Sequence, residues 1–357
     1  MDPTIRPGAD GHVAAGEAAG IDTFGGRAYH RGMTGPGERA FFGPWGLRAG
    51  WRLLIFNAAF FLFGLLIKAL LVSVAGWDPE WTAWNFFFIE IVSLAGSLAC
   101  VHLMAGIEHR RLADYGFTRV GAFGRHFWEG GLWGLAAIGA VVAVMALAGG
   151  YAVRGLALKG SDLILSSVLW AAGLLLASLL EEIVFRGYEL FTLASGIRFW
   201  PAAIVLSAFF GFYLHYVQKP NESLVDALSV TLIALFFCLT LHRTGNLWFA
   251  IGWHWTFNFG ALFIFGFPNT GNRGGLPISG RLLNAVTSGP DWLTGGPPGA
   301  EASFIIFPVL AVLFVAFHFR HRQVKFRVDG RRGLTPTSPG PKRRPAAIPP
   351  RRGPFRI

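Results

Sequence analysis

Charge is scarce in this chain: Asp, Glu, Lys and Arg together make up 14% of its 357 residues, against 53% hydrophobic residues. Soluble domains carry about a quarter of their residues charged, so water is excluded as the main solvent. Cysteine is nearly absent. Cys100 and Cys238 both fall inside apolar runs, which excludes a disulfide framework and leaves no thiolate pair at zinc spacing. The first 45 residues lack the short apolar core of a cleavable signal and are rich in Gly and Ala, which predicts a disordered cytoplasmic extension.

What the chain does have is long apolar runs. A spanning helix needs about 20 mainly apolar residues, and candidate stretches run over 53–75, 85–107, 128–150, 163–185, 199–217, 223–241, 245–266 and 303–319. Backbone groups in hydrocarbon must be satisfied internally, and these runs are too long for barrel strands. The predicted fold is therefore all-α, a polytopic membrane bundle of about eight helices. Residues 46–319 form the bundle, between the extension at 1–45 and a basic Pro/Arg-rich tail at 320–357.

The tail from Arg320 to Ile357 holds twelve Lys or Arg and one acid, Asp329, enough to account for the whole net charge of +11. Nucleic acid is a distant second reading for such a tail; topology and attraction to anionic lipids explain it better. Arg110, Arg111, Arg119 and Arg125 mark the loop after the second stretch as cytoplasmic, whereas Asp78 and Glu80 dominate the loop before it. Both termini are then expected in the cytoplasm. Trp45, Trp51, Trp77, Trp81, Trp84 and Trp128 stand near run boundaries, as interfacial anchors would.

Ionisable groups within apolar runs are costly, so each is a functional candidate. Glu181 and Glu182 stand side by side, with Arg186 four residues after the second. Glu182 and Arg186 share a helix face, while Glu181 points about 100° away. The guanidinium can neutralise one carboxylate and leave the other free as a base. His215 closes an aromatic run, and His254 and Asn258 stand at i and i+4 on one face. Taken singly, each has a bland reading as a salt bridge, an interfacial histidine or a packing pair. Together, two acids, two histidines and an amide on three stretches supply a base, water-orienting groups and oxyanion donors. Lys68 and Glu90, at similar depths in neighbouring stretches, are predicted to form an ion pair.

The segments EEIVFRGYEL, FFGFYLH and RTGNLWFAIGWHWTFNF resemble the three motifs of the CAAX-protease and bacteriocin-processing (CPBP, Abi-like) intramembrane proteases. The match covers about residues 163–263. The resemblance implies an intramembrane endopeptidase of a bacterial inner or plasma membrane, hydrolysing a peptide bond of a membrane-associated protein or peptide. It implies that Glu181 and His215 activate water, that His254 and Asn258 stabilise the oxyanion, and that Glu182 and Arg186 hold the site together. It also implies a second route to the nucleophile, with Zn²⁺ or another divalent metal on Glu181, His215 and His254. Other intramembrane protease chemistries are excluded by the absence of HExxH, GxGD and GxSG signatures.

Two features pull against this reading. The family places Phe four residues before its histidine, whereas position 211 is Gly and Phe210 precedes His215 by five. In an α-helix that offset turns the Phe by about 100° unless a bulge absorbs it. At 1.5 Å per residue, Glu181 also lies about 27 Å from the start of its stretch and His254 about 14 Å into its own, so parallel untilted helices would not bring them together. The alternative from another class is a catalytically silent membrane scaffold that keeps the polar cluster for packing. A hydrolytic site requires a polar cavity, expected to open toward the cytoplasmic side.

Overall fold

The structure is a computed structural model that describes residues 40–43, 46–71, 82–219, 221–270, 275–326 and 328. Most of the extension at 1–45 and most of the tail lie outside the described residues, as do Trp45, Trp77, Asp78, Glu80 and Trp81. Each apolar stretch is helical over most of its described residues. Helices α1 (Ala49–Ala69), α2 (Ala83–Ile107) and α3 (Arg125–Leu147) are followed by α4 (Gly160–Glu181), which runs on without a break through a π-helical segment, Glu182–Glu189, into α5 (Leu190–Ile197). Helix α6 (Phe199–Ala208) continues as a π-helix over Phe209–Val217, and α7 spans Leu224–Thr244. Helix α8 (Trp248–Asn258) continues as a π-helix over Phe259–Ile264, and α9 (Ile306–Arg320) closes the bundle.

Six of these helical stretches are long and apolar enough to cross a membrane, and α9 is a shorter apolar helix. The α4 stretch ends at Ile197, twelve residues beyond the predicted end at 185, because the polar groups after Glu181 are paired inside the bundle rather than at its edge. The outer helices are apolar all round. Phe56 is the one fully buried residue of α1, while Phe61, Leu62 and Leu66 stand exposed, as lipid-facing surface requires. The chain is an integral membrane protein.

The tightest joint of the bundle is between α3 and α8. Gly130 and Gly134, four apart on α3, lie against the backbone carbonyls of Phe249 and Trp253, and Gly252 of α8 lies against that of Phe127. A Cβ at any of the three would collide with main chain. Small residues four apart let membrane helices approach this closely, and Thr256 Oγ1 then donates to the Gly131 carbonyl at 2.6 Å across the joint. At the end of the bundle away from the arginine-rich loop, strand β1 (Tyr151–Leu156) pairs antiparallel with β2 (Leu283–Thr287).

The predicted Lys68–Glu90 ion pair is not formed. Lys68 is exposed, and Glu90 turns inward, where the Glu181 carboxylate acts on it. The lysine stem can reach solvent from the exterior of α1, whereas a shared depth does not fix a shared helix face.

Candidate active site

The paired glutamates occupy the junction where α4 becomes a π-helix. Their i,i+1 spacing sends them to different environments: the Glu181 side chain is 34% exposed and that of Glu182 is 0% exposed. Glu182 Oε1 lies 3.2 Å from Arg186 Nη1 and 3.1 Å from His254 Nδ1. The Arg186 guanidinium sits over the Phe210 ring at 4.6 Å and the Phe237 ring at 5.3 Å. His254 stacks on Phe237 at 5.5 Å, and its Nε2 lies 3.8 Å from Glu181 Oε2. The histidine of α8 is thus held between both acids of α4. The gap in depth expected of parallel helices is therefore not present between α4 and α8.

The pair with Arg186 is deep. Arg186→Ala would leave the Glu182 charge buried beside His254 with its main counter-charge gone. Breaking such a pair costs about 3–5 kcal/mol, to be read as a large fall in melting temperature of the detergent-solubilised protein.

The π-helix over Phe209–Val217 absorbs the offset before His215. Its i→i+5 bonds widen the turn so that residues five apart share a face, and the Phe210 and His215 rings stand 5.2 Å apart. Phe210 also packs edge-on against Phe185 at 4.9 Å. This residue links the first motif to the second through Arg186 on one side and His215 on the other. Gly211, the extra residue, lies against the Ala227 carbonyl and Thr231 of α7, where a Cβ would collide. The charges of Glu181 and His254 reach His215.

His215 has company that the sequence did not announce. Its Nδ1 lies 3.6 Å from Oδ2 of Asp226, which is 0% exposed. Glu222, in the loop between α6 and α7, receives a hydrogen bond from Thr270 Oγ1. Burial, together with the neighbouring Asp226, pushes the Glu222 carboxyl up to about 7. Glu301 is driven well above the usual carboxylate range, first by burial and then by Asp226 and Glu222. Asp226 escapes notice in the sequence because it follows Ser223 by three residues at the start of a helix, where Ser223 Oγ accepts from the Asp226 N–H at 3.0 Å; an acid there reads as ordinary capping.

Asn258 is at the last position of α8 before its π-helical segment and lines a pocket of about 20 Å³ together with Phe257, Pro268, Asn269 and Glu301. That is room for a water molecule. The pocket lies at the end of α8 remote from the arginine-rich loop.

As a metal centre, Glu181, His215 and His254 do not fit. The ligand atoms of the three do not gather within 4.8 Å of one another. Among the described residues the one group that does so is His215, Glu222 and Asp226.

Residues 163–260 match the family model described as Type II CAAX prenyl endopeptidase Rce1-like. Over this stretch the chain is similar to the CPBP family. The match takes in Glu181, Glu182, Arg186, His215, His254 and Asn258, and the family is one of proteases. Within the matched stretch and at its end, all three helices that bear these residues pass into π-helix at or just beside them, a departure from regular helix that is concentrated at functional sites. No curated protein and no solved structure matches the chain.

Proposed function

We propose that the protein is an intramembrane endopeptidase that hydrolyses a peptide bond of a membrane-associated protein or peptide with a glutamate-activated water. The observation that carries this reading is His254 held between two carboxylates of unequal exposure, Nδ1 on buried Glu182 and Nε2 facing partly exposed Glu181. Glu182 and Arg186 fix the imidazole, and Glu181 remains available as the base. In the reaction, Glu181 takes a proton from water as the oxygen adds to the substrate carbonyl carbon. His215 helps orient that water. The oxyanion is stabilised by N–H donors from His254 and Asn258. The C–N bond then breaks, the proton held by Glu181 passes to the leaving nitrogen, and a carboxylate and an amine result. No step passes through a metal on Glu181, His215 and His254, since those residues do not converge as a ligand set.

The scaffold reading drew its support from the offset before His215, and the π-helix removes that support. On the proposed topology the Arg-rich loop and the tail at 320–357 face the cytoplasm, where the tail meets anionic lipids.

The test is cleavage by the purified protein in liposomes, offered a prenylated CAAX peptide and a leader peptide. Asn258→Ala is expected to lower kcat about 100- to 1000-fold with the melting temperature unchanged. Absence of cleavage of both substrates by the native protein, or full activity in the variant, overturns the proposal.

A further inference from the structure

Three side chains at the far end of α6 and α7 remain unexplained by the hydrolytic arrangement. Neither oxygen of the fully buried Asp226 receives a well-formed hydrogen bond from the described residues; the polar group it meets is another carboxyl, that of Glu222. His215 Nδ1 and Glu222 Oε2 are also buried without a partner. Unsatisfied carboxylate oxygens cost free energy unless something neutralises them. Asp226, Glu222 and Glu301 lie within electrostatic reach of one another, and Lys219 is the one basic side chain whose charge acts on all three. One ammonium can balance one ionised carboxylate, and the others need either a proton or a bound cation to balance them.

The spacing favours the cation. His215 Nδ1 and Asp226 Oδ2 stand 3.6 Å apart, too far for a hydrogen bond. Two ligands of one tetrahedral centre with bonds of about 2.0–2.2 Å stand about 3.4 Å apart. One ligand atom from each of His215, Glu222 and Asp226 falls within 4.8 Å of the other two, so closure around an ion needs small side-chain rotations. One imidazole nitrogen and two carboxylate oxygens suit a borderline or hard divalent ion such as Zn²⁺ or Mn²⁺.

We infer that His215, Glu222 and Asp226 bind one divalent transition-metal cation, at a site that shares His215 with the hydrolytic arrangement and lies beside the Glu181–Glu182–His254 cluster. Glu222 belongs to the connecting loop, and Thr270 holds it from the segment that follows α8. A cation there would tie that segment to the helix ends and fix the His215 ring. The inference is independent of the proteolytic reading, because binding is read directly.

The full-length protein, stripped with chelator and exchanged into metal-free detergent buffer, is titrated with Zn²⁺ by calorimetry and with Co²⁺ by visible absorption. About one equivalent should bind, with a Co²⁺ d–d band indicating nitrogen and oxygen ligands and a rise in melting temperature. Asp226→Asn and Glu222→Gln should each weaken binding at least about 10-fold, and Glu222→Gln, in a loop, covers the case in which Asp226→Asn does not fold. Glu181→Gln should bind the metal as the native protein does, even where cleavage is lost. No binding to the native protein overturns the inference and shows that Glu222 and Asp226 share a proton instead. Native-like affinity in Asp226→Asn or Glu222→Gln, or loss of binding in Glu181→Gln, overturns it as well.

Discussion

Replacing Glu181 with Gln is expected to abolish cleavage while leaving the bundle folded. Removing a positioned general base costs about 100- to 10,000-fold in rate. The side chain can be changed without disturbing the core, because it is a third exposed and its nearest charged partner, His254 Nε2, lies at 3.8 Å. Glu182 is the contrasting case. It is fully buried and holds both Arg186 and His254, so Glu182→Gln should lower the melting temperature as well as the rate. Measuring kcat and melting temperature for the two variants side by side separates their roles. Equal losses of stability, or retained cleavage in Glu181→Gln, would show that neither glutamate is the base.

The largest structural effect is expected at Gly252. A methyl group there meets the Phe127 carbonyl, and the opposing Gly130 and Gly134 leave α3 no room to yield. Helices α3 and α8 would have to separate along the joint that places His254 and Asn258. Overpacking of a well-fitted core costs about 1–3 kcal/mol and at times more, and main chain against main chain belongs at the upper end. Gly252→Ala should therefore lose both stability and catalysis. Gly139→Ala, on the same α3 helix but facing open space, should be neutral or slightly stabilising, as Ala is a better helix former than Gly. Thermal melts of the two variants in one detergent decide the matter, and similar melting temperatures would refute the close joint.

Much of the candidate site is legible in the residues themselves. The Glu-Glu dipeptide, the arginine one turn on, and the histidine and amide at i and i+4 are local patterns, and helix periodicity converts local spacing into shared faces. Their meeting is less legible. Phe210 and His215, read on a regular α-helix, diverge; a π-helix brings them to 5.2 Å, and nothing in the spacing alone announces which turn will widen. Lys68 and Glu90 illustrate the converse, since similar depth suggested a contact that the facing of α1 and α2 does not provide. Asp226 was hidden by its position three residues after Ser223, where an acid needs no further explanation.

The sequence by itself determined that the chain lives in lipid, that it is helical, and which polar residues are too costly to be idle, because each of these follows from composition or from contacts within a few residues. Tertiary structure alone decided how the acids divide, Glu181 toward solvent and Glu182 into the core, and which carboxylates gather around His215. Those outcomes depend on where separate helices touch. Contact between segments far apart in the chain is set by packing, here by glycines that admit a neighbouring backbone and by π-helical turns that re-aim side chains, and neither is written in the spacing of any one motif.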